Sequence, residues 1–532
     1  MYSGYPGIKL RLTRKGAEHV KRMGVKLLNE QLAQLRGFRA AHPFTSPTGL
    51  SGHVYLSDLQ TLQYQPPDTS AISFAAPNQL IFSVVQMGIT LLGRFVGVSG
   101  PFQVPGQVQG QIAGMQIVLS TAFHTEQTTG QISVRVTNCS TSIQRSQFAL
   151  EPEGPLSAIV KIFEAQINDL IRDRIPNLLC RGLETIIDRN APSLFQKLSR
   201  VDLTEHFAIF NGSGVIERFI RRFTEGLYID GRSIFNPTVT TEYFETQQRG
   251  ELRYNKYPDL SPPFYPDPIP HDGDSDRMLY LYGSHYMLNS LLYNAYQTDR
   301  LSLKIDEYTL QEPYRGFMRT SCKASSTNVG SFEGDFLAGV CVGMLIPAIG
   351  EHFPSTTTKF LLLPHKLPKI RFVDGVSSMD VRTRILTYVK EFLRNSTNNS
   401  DNNSISRDHQ VLVSSADGVA DIRLGADSTA KRFIGDLKLR KLIVRLHRTA
   451  IDGINPESIS QLAPLAKTFL GPQLATGFKQ GFPFPLKESI RFLEPRLSIR
   501  NGFVRLETDF ELVEESFRQK VGEAFERIKN FT

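Results

Sequence analysis

The chain opens with a regular alternation of apolar and polar residues. Ile8, Leu10 and Leu12 alternate with basic residues, and this period of two predicts a half-buried strand. Thr13 then predicts the cap of a long helix. The helix is amphipathic, and its apolar face is formed by Ala17, Val20, Gly24, Leu27, Leu28, Gln31 and Leu35.

The period of two returns over residues 53–137 and predicts a strongly curved antiparallel sheet of long hairpins. Over residues 80–92 both faces are largely apolar, as in a strand that is covered on both sides. Gly106, Gly110 and Gly114 recur every four residues. Because no helix start follows them, we expect them to bend a strand rather than to bind phosphate.

A second long helix is predicted from about Leu156 to Arg189, and Pro176 is expected to kink it. A proline-rich linker then occupies the middle of the chain, from Tyr257 to Asp276. Its prolines exclude a helix or a central strand. Its apolar residues predict that it is ordered and pressed against protein, and these are Leu260, Phe264, Tyr265 and Ile269.

After the linker the order of elements repeats. A strand over residues 278–281 precedes a helix capped by Ser284, alternating strands follow, and Asn455-Pro456 starts another long helix. Each half therefore contains a strand, an early helix, a curved sheet and a late helix. Two apolar helices against one curved sheet can enclose a tube, and an apolar lining without catalytic groups suits fatty acyl chains.

Composition narrows the classes of function. The chain has 532 residues, 40% of them hydrophobic and 21% charged, which is typical of a globular protein with two or more domains. No apolar run is long enough to span a membrane, and no signal peptide is visible. The net charge of +8 is modest, and no nucleic-acid-binding motif is present, although weak attraction to anionic lipid stays open.

Motifs of common enzymes and metal sites are absent from the sequence. It contains no G-x-S-x-G, H-E-x-x-H or G-x-x-x-x-G-K-[ST] motif. Asp272, Asp274 and Asp276 imitate a calcium loop, but Arg277 and Gly283 occupy the positions that need Gly and Glu. We therefore expect neither catalysis nor a bound metal.

Cysteines and glycosylation sequons favour a secreted, extracellular glycoprotein. The four cysteines form no C-x-x-C pair, and an even count is typical of disulfide-bonded proteins. Cys322 and Cys341 are equally compatible with a bond and with free thiols. The candidate glycosylation sites are Asn211, Asn395, Asn398 and Asn402.

Several segments, in the right order along nearly the whole chain, resemble one known family. They are PGIKLRLTRKGAEHV (6–20), SPPFYPDPIPHDGDSDRMLYLYGSHYMLNSLLYNAY (261–296), FIGDLKLRKLIVRL (433–446) and GFKQGFPFPL (477–486). The family is that of bactericidal/permeability-increasing protein, lipopolysaccharide-binding protein, phospholipid transfer protein and cholesteryl ester transfer protein. The resemblance also implies a disulfide bond between Cys139 and Cys180.

The resemblance implies an α+β fold shaped as a boomerang. Two elongated barrels, each a strongly curved antiparallel sheet wrapped on one long and one shorter helix, are joined by a central sheet in this family. We expect an N-terminal barrel over residues 1–253, the linker over 254–275 and a C-terminal barrel over 276–512. An amphipathic tail over 513–532 either covers a pocket mouth, as in cholesteryl ester transfer protein, or packs on the surface.

The resemblance further implies an apolar lipid pocket in each barrel, with the linker running past both. Linker contacts are expected from Phe264 and Tyr265. Arg36, Arg39 and Arg94 are the basic residues near the expected tip of the first barrel, and their low charge density argues against endotoxin binding. The expected pocket residues are Val20, Leu27, Val84, Phe163, Ile167, Leu170, Ile171, Leu288, Leu291, Leu462, Leu465 and Phe469.

These features predict a secreted lipid-binding or lipid-transfer protein that holds phospholipid acyl chains in two apolar pockets. The alternative is an antibacterial, lipopolysaccharide-binding protein of innate immunity. We expect a monomer that carries bound phospholipid, has no other cofactor, is not an enzyme and does not bind nucleic acid.

Overall fold

A computed structural model describes most of the chain: residues 4–45, 49, 51–153, 157–204, 214–310, 314–322, 340–393, 405–429, 431–464, 466–468, 471, 475, 479, 481–483 and 490–528. Over these residues the chain forms four antiparallel sheets. Helices in the same ranges include none that combines the length and the apolar character needed to cross a membrane.

The first half runs to the end of β13. Its second long helix continues past the predicted end at Arg189 and through two prolines, Pro176 and Pro192. It continues because Ile187 and Phe195 extend its apolar face onto a hydrophobic cluster. In chain order the elements are β1 (Ile8–Thr13), α1 (Arg14–Ala33), β2 (Phe38–Thr45), β3 (Ser51–Gln65), β4 (Thr69–Ala75), β5 (Gln79–Ser99), β6 (Phe102–Thr125), β7 (Ile132–Ser142), β8 (Arg145–Pro152), α2 (Ser157–Ser199), β9 (Arg200–Asp202), α3 (Val215–Thr224), β10 (Leu227–Asp230), β11 (Thr238–Val239), β12 (Tyr243–Gln248) and β13 (Glu251–Tyr254).

The second half repeats the pattern of a strand, an early helix, a sheet and a late helix. Its late helix is capped as predicted, since the Asn455 side chain accepts a hydrogen bond from the Glu457 amide. The elements are β14 (Leu279–Ser284), α4 (His285–Gln297), β15 (Leu303–Ile305), a 3-10 turn (Tyr314–Met318), α5 (Val342–Leu345), α6 (Pro347–His352), β16 (Thr358–Val373), β17 (Val376–Leu393), β18 (Ile405–Asp427), β19 (Arg432–Thr449), α7 (Pro456–Ser460), β20 (Phe482–Pro483), β21 (Ile490–Arg500), β22 (Phe503–Leu512) and α8 (Glu514–Ile528).

One six-stranded sheet contains strands from both halves, in the order β11-β12-β1-β14-β22-β21. Leu10 of β1 lies opposite Leu281 of β14, which in turn lies opposite Leu506 of β22. All three leucines belong to one hydrophobic cluster. Burial of this cluster therefore ties the beginning of the chain to its last strands.

The first-half sheet has seven strands, with β2-β3-β5-β6-β7 in sequence, β4 beside β5 and β8 beside β6. Its strand pairs shift register at several β-bulges, and bulges bend a sheet and increase its twist. Helix α1 packs beside β3 and β4, whereas α2 packs beside β7 and β8. The two helices therefore lie towards opposite edges of one strongly curved sheet.

Gly110 and Gly114 of β6 occupy positions that exclude a side chain. A Cβ atom at Gly110 would lie 2.1 Å from Cδ1 of Phe148, whose side chain is buried in the core. Gly114 has a φ of +67°, which glycine adopts at little cost. The repeated glycines therefore permit bending and close packing, as predicted from the sequence.

The second-half sheet has the order β15-β16-β17-β18-β19-β20. It covers a core that also contains the short helices α5, α6 and α7, and the buried members of that core are Val342, Ile346, Ala348, Ile349, Val389, Val411, Leu412, Val444, Ile451, Ile459 and Ala463. The α+β class is thus confirmed, and the boomerang of two elongated barrels stays a prediction.

Two disulfide bonds fasten peripheral elements. Cys139 of β7 is bonded to Cys180 of α2, 41 positions later, and this bond holds the helix against the sheet. Cys322 and Cys341, 19 positions apart, are bonded as well. The alternative of free thiols at these two positions is therefore wrong.

Candidate functional site

The interior of the first half is a packed apolar core. Val84 of β5 and Ile167 of α2 are both 0% exposed and belong to one cluster. Leu27 of α1 is also buried. Because protein atoms surround these predicted pocket residues, they build the core and leave no open surface of their own to a ligand.

Several apolar side chains at the margin of that core are only partly buried. We call this set the apolar margin, and its members are Val25, Tyr64, Phe82, Ile143, Leu150, Leu179, Leu183 and Val521. Tyr64 contributes its one polar group, and this hydroxyl donates to Oδ1 of Asn29 at 2.7 Å. Burial raises the pKa of Tyr64 to about 12, so the margin carries no charge at neutral pH.

Val20, another of the predicted pocket residues, lies at the surface of α1. It is 37% exposed, and Gly24, one turn later on the same face, has no atom within 4 Å of the place of a Cβ. The face of α1 that carries Val20 and Gly24 is therefore uncovered, and the buried residues of this helix are Gly16, Ala17, Leu27, Leu28 and Leu32. Val20 accordingly does not line an enclosed pocket in this structure.

The C-terminal helix α8 lies against both α1 and α2. Val521 of α8 packs on the first-half core. Arg518 donates to Glu30 of α1 at 3.1 Å, and Lys26 forms an ion pair with Glu514 at 2.7 Å. The tail that the sequence marked as amphipathic thus docks its apolar face beside the apolar margin.

The predicted pocket residues of the second half do not converge on one place. Leu288 and Leu291 of α4 pack on a cluster that contains Leu252 and Tyr254. Leu462 packs instead on the core beneath α5, α6 and α7. Leu288 and Leu291 therefore pack on a different cluster from Leu462, and a second pocket stays a prediction.

Several predicted residues lie outside the part of the chain that the structure describes. This holds for the side chains of Phe163, Leu170 and Ile171 in α2, and for Leu465 and Phe469. It also holds for the candidate glycosylation sites Asn211, Asn395, Asn398 and Asn402.

The proline-rich linker is ordered and packed, but of its two predicted aromatic contacts Phe264 is only partly buried and Tyr265 is exposed. Phe264 packs edge-on against Tyr286 and Tyr293 of α4, with ring centroids 5.9 and 6.0 Å apart. Tyr265 is 61% exposed, so its predicted burial is wrong. In an extended segment neighbouring side chains point in different directions, and Ile269 is a buried apolar residue of the linker.

A half-buried carboxylate fixes the second part of the linker. Asp272 accepts hydrogen bonds from Arg11 at 3.0 Å, from the Tyr282 hydroxyl at 2.9 Å and from Arg505 at 3.2 Å. Burial raises the pKa of Asp272, but the hydrogen bonds from Tyr282 and Arg505 and the charge of Arg11 outweigh it, so the pKa lies below its ordinary value. No sequence pattern predicts this contact, because Asp272 resembles only a calcium ligand in a motif that lacks the required Gly and Glu.

A second polar contact fixes the first part of the linker. Arg253 of β13 donates to the Pro258 carbonyl and to Oγ of Ser261, both at 2.6 Å. Ser261 donates in turn to Glu251 at 2.8 Å, and Tyr286 donates to the same carboxylate at 3.0 Å. The linker is therefore held at both ends by charged groups of the sheets beneath it.

The three basic residues that were predicted near a tip are exposed, but they do not form a charged tip. Arg94 lies opposite Ser57 within the β3–β5 pair, five positions before β5 ends at Ser99, or about 17 Å from the turn at the usual rise per residue. Arg39 lies in β2, on the far side of β3, and Arg36 precedes β2. The surface is therefore a sparse basic row along the side of the sheet.

Chemically active clusters are absent from the ranges described above. No group of three or more His, Cys, Asp or Glu side chains in these ranges is arranged to hold a metal ion. The aspartates that resemble a calcium loop are engaged with arginine, since Asp272 and Asp274 both contact Arg505. Within these residues the site offers apolar surface and fixed ion pairs.

Comparison with known proteins decides the family. Residues 222–512 match the model of the LBP / BPI / CETP family, C-terminal domain. The chain belongs to the LBP/BPI/CETP family. The resemblance seen in the sequence is thereby confirmed, and the match spans the linker and the whole second half.

Relatives of this LBP/BPI/CETP-family protein align along nearly its full length. The bactericidal permeability-increasing protein of Sebastes schlegelii is 19% identical over 517 residues, which cover 95% of each chain. The lipopolysaccharide-binding protein of Bos taurus is 21% identical over 517 residues, covering 95% of this chain and 93% of the relative. A crystal structure of lipopolysaccharide binding protein aligns with a TM-score of 0.49 and 17% identity, over 96% of this chain and 99% of that one.

Proposed function

We propose that this protein of the LBP/BPI/CETP family binds phospholipid through its acyl chains, which enter beside the apolar margin of the first half. The observation that carries the proposal is the margin itself: uncharged side chains from α1, α2, α8 and the curved sheet pack against one apolar core and are only partly buried. Burial of acyl chains there contributes about 0.8 kcal/mol per methylene group. Family membership supports the same function.

A second apolar pocket, in the other half, belongs to the same proposal. The linker supports it, because Phe264 packs on α4 and Ile269 packs on β14 and β22, which are all elements of the second half. We further propose that the protein is secreted, since it contains two disulfide bonds, which persist mainly in oxidising compartments. Binding and transfer, rather than catalysis, are the activities that this apolar surface supports.

Binding of lipopolysaccharide is the second candidate function. The name of the relative from Bos taurus, lipopolysaccharide-binding protein, favours it. The sparse row of Arg36, Arg39 and Arg94 does not, because phosphate capture at a surface depends on charge density. A titration with lipid A, compared with a titration with phosphatidylcholine vesicles, separates the two functions.

The deciding experiment is mass spectrometry of lipid extracted from the purified protein. Leu179→Trp fills space at the apolar margin and is expected to lower the phospholipid content, whereas Leu62→Trp is a matched control on an exposed position. Wild-type protein without any bound lipid would contradict the proposal. Equal lipid content in the two variants would show that the lipid does not bind at the apolar margin.

A further inference from the structure

A cavity lies where the linker passes the end of β16. We call it the linker cavity, and its volume is about 350 Å³. Four separate parts of the chain line it: linker residues 267–269, the first residue of α4, residues 371–373 of β16, and residues 501–503 where β21 turns into β22. A concave surface built by several elements is the usual form of a small-molecule site.

Hydrogen bonds between these elements fix the walls of the linker cavity. The Gly502 amide donates to the Phe372 carbonyl at 3.1 Å, and the Gly502 carbonyl accepts from the His285 amide at 2.9 Å. The Asn501 side chain donates to Asp374 at 3.1 Å. The turn, α4 and the end of β16 are therefore held together before any ligand arrives, and a preformed site loses little ordering entropy on binding.

The floor of the linker cavity is apolar. Ile269, Phe372 and Phe503 line it and are buried, and the His285 ring packs edge-on against Phe372, with ring centroids 6.3 Å apart. Burial lowers the pKa of His285 although the nearby charge of Asp267 opposes this effect. The imidazole is therefore uncharged at neutral pH, and the floor suits an apolar group.

One cation stands at the rim of this floor. Arg371 lines the cavity and is exposed, and it forms no ion pair with a carboxylate in the part of the chain that the structure describes. Its neighbour across the β16–β17 pair is the uncharged Ser378. The acid of the lining, Asp267, faces His285 instead, with 3.5 Å between Oδ2 and Nε2. The rim therefore offers a guanidinium group whose charge is not neutralised by the protein.

We propose that the linker cavity binds a small organic monocarboxylate with an apolar body. The carboxylate pairs with Arg371, because a guanidinium group binds the two oxygens of a carboxylate in bidentate geometry. The apolar body lies on Ile269, Phe372 and Phe503. A second negative charge is disfavoured, since Asp267 carries a like charge at the same rim.

The size of the linker cavity separates this ligand from the phospholipid proposed for the first half. At about 30 Å³ for each water-sized group, a volume of about 350 Å³ holds roughly a dozen non-hydrogen atoms. That is too small for the two acyl chains of a phospholipid. The linker cavity is therefore a separate site, and the inference does not rest on the lipid function.

The test uses 3-phenylpropionate as the probe and isothermal titration calorimetry on the full chain. Two further compounds each lack one half of the probe: 3-phenylpropanol has the apolar body without the charge, and inorganic phosphate has the charge without the body. We expect saturable binding of 3-phenylpropionate, with each of the other compounds weaker by about tenfold or more. A wild type that does not bind 3-phenylpropionate, or that binds phosphate equally well, overturns the proposal.

Two pairs of variants locate the binding site. Arg371→Gln removes the cation and is expected to weaken binding by about tenfold or more, whereas Arg382→Gln removes an exposed arginine of the neighbouring strand that does not line the cavity. Val373→Trp fills the cavity and should abolish binding. Val376→Trp is its control, because Val376 lies directly opposite Val373, is similarly exposed and is not part of the lining.

Both controls are expected to bind 3-phenylpropionate as wild type does, and so is Leu179→Trp, which changes only the apolar margin. Equal losses in the members of either pair place the ligand elsewhere and overturn the proposal. Urea unfolding of each variant shows that a loss of binding is not a loss of folding. A second readout is hydrogen exchange over residues 267–269, which bound 3-phenylpropionate should slow in wild type and leave unchanged in Val373→Trp.

Discussion

Replacement of Asp272 by Asn is expected to release the second part of the linker. Asp272 accepts charge-assisted hydrogen bonds from Arg11 at 3.0 Å and from Arg505 at 3.2 Å, and such bonds contribute about 1.5–3 kcal/mol each. Its side chain is 20% exposed, which reduces that contribution, and Arg11 retains Glu245 as a partner. We therefore expect a loss of about 2–3 kcal/mol in the free energy of linker opening.

Hydrogen exchange measures this loss directly. Because each 1.4 kcal/mol corresponds to a factor of ten, amides in the second part of the linker, residues 269–276, should exchange about 30 to 150 times faster in Asp272→Asn than in wild type. Asp274→Asn is the matched control, since Asp274 is 47% exposed and exposed ion pairs contribute less than about 1 kcal/mol. Equal acceleration in both variants, or none in either, refutes the role of Asp272.

Acid should remove the difference between wild type and Asp272→Asn. The pKa of Asp272 is lowered in the folded protein from an ordinary value of 3.8. A carboxyl group whose pKa is lowered by folding stabilises the folded protein at pH values above its unfolded-state pKa. This stabilisation is lost as the pH falls through the folded-state pKa. The difference should be constant from neutral pH to about 4 and shrink below that; a difference unaffected by acid contradicts the ionic mechanism.

Three further changes test the packing. Gly110→Ala should destabilise the protein by about 1–3 kcal/mol in urea unfolding, because a Cβ there meets a buried ring. Gly24→Ala in α1 faces open space and should stabilise the protein by about 0.5–1 kcal/mol. Replacing Cys139 and Cys180 by Ser opens a loop of 41 residues and should cost about 4 kcal/mol in the chain-entropy model, read as a lower urea midpoint. Val521→Asp places a charge against the first-half core and should detach α8 from it. Detachment is measured as faster hydrogen exchange over residues 514–528. Unchanged exchange would mean that the core does not hold the helix.

Local patterns in the sequence predict those features that depend on neighbouring residues. The alternation at Ile8, Leu10 and Leu12 predicts β1, and the side chain of Thr13 accepts from the Gly16 amide as a helix cap should. The pair Asn501-Gly502 predicts the hairpin between β21 and β22, whose register continues up to this turn. Each of these outcomes is decided within a few residues of chain.

Features that depend on distant residues are not predictable from one sequence. Asp272 meets Arg11 and Arg505, which are 261 and 233 positions away, and no periodicity links them. The apolar residues expected in pockets are chemically suited to both a core and a pocket. Whether Val84 is buried and Val20 exposed depends on which faces of α1 and the sheet are covered by other elements.

The position of β14 in the six-stranded sheet has a consequence for synthesis on the ribosome. β14 pairs with β1 on one side and with β22 on the other. Its edge towards β1 can form hydrogen bonds early in synthesis, whereas its edge towards β22 stays unpaired until residues 503–512 have been translated. Until then Leu279 and Leu281 belong to an unpaired strand edge, which is a template for aggregation. The nascent chain therefore passes through a vulnerable interval in which more than 200 residues are made before this sheet can be completed.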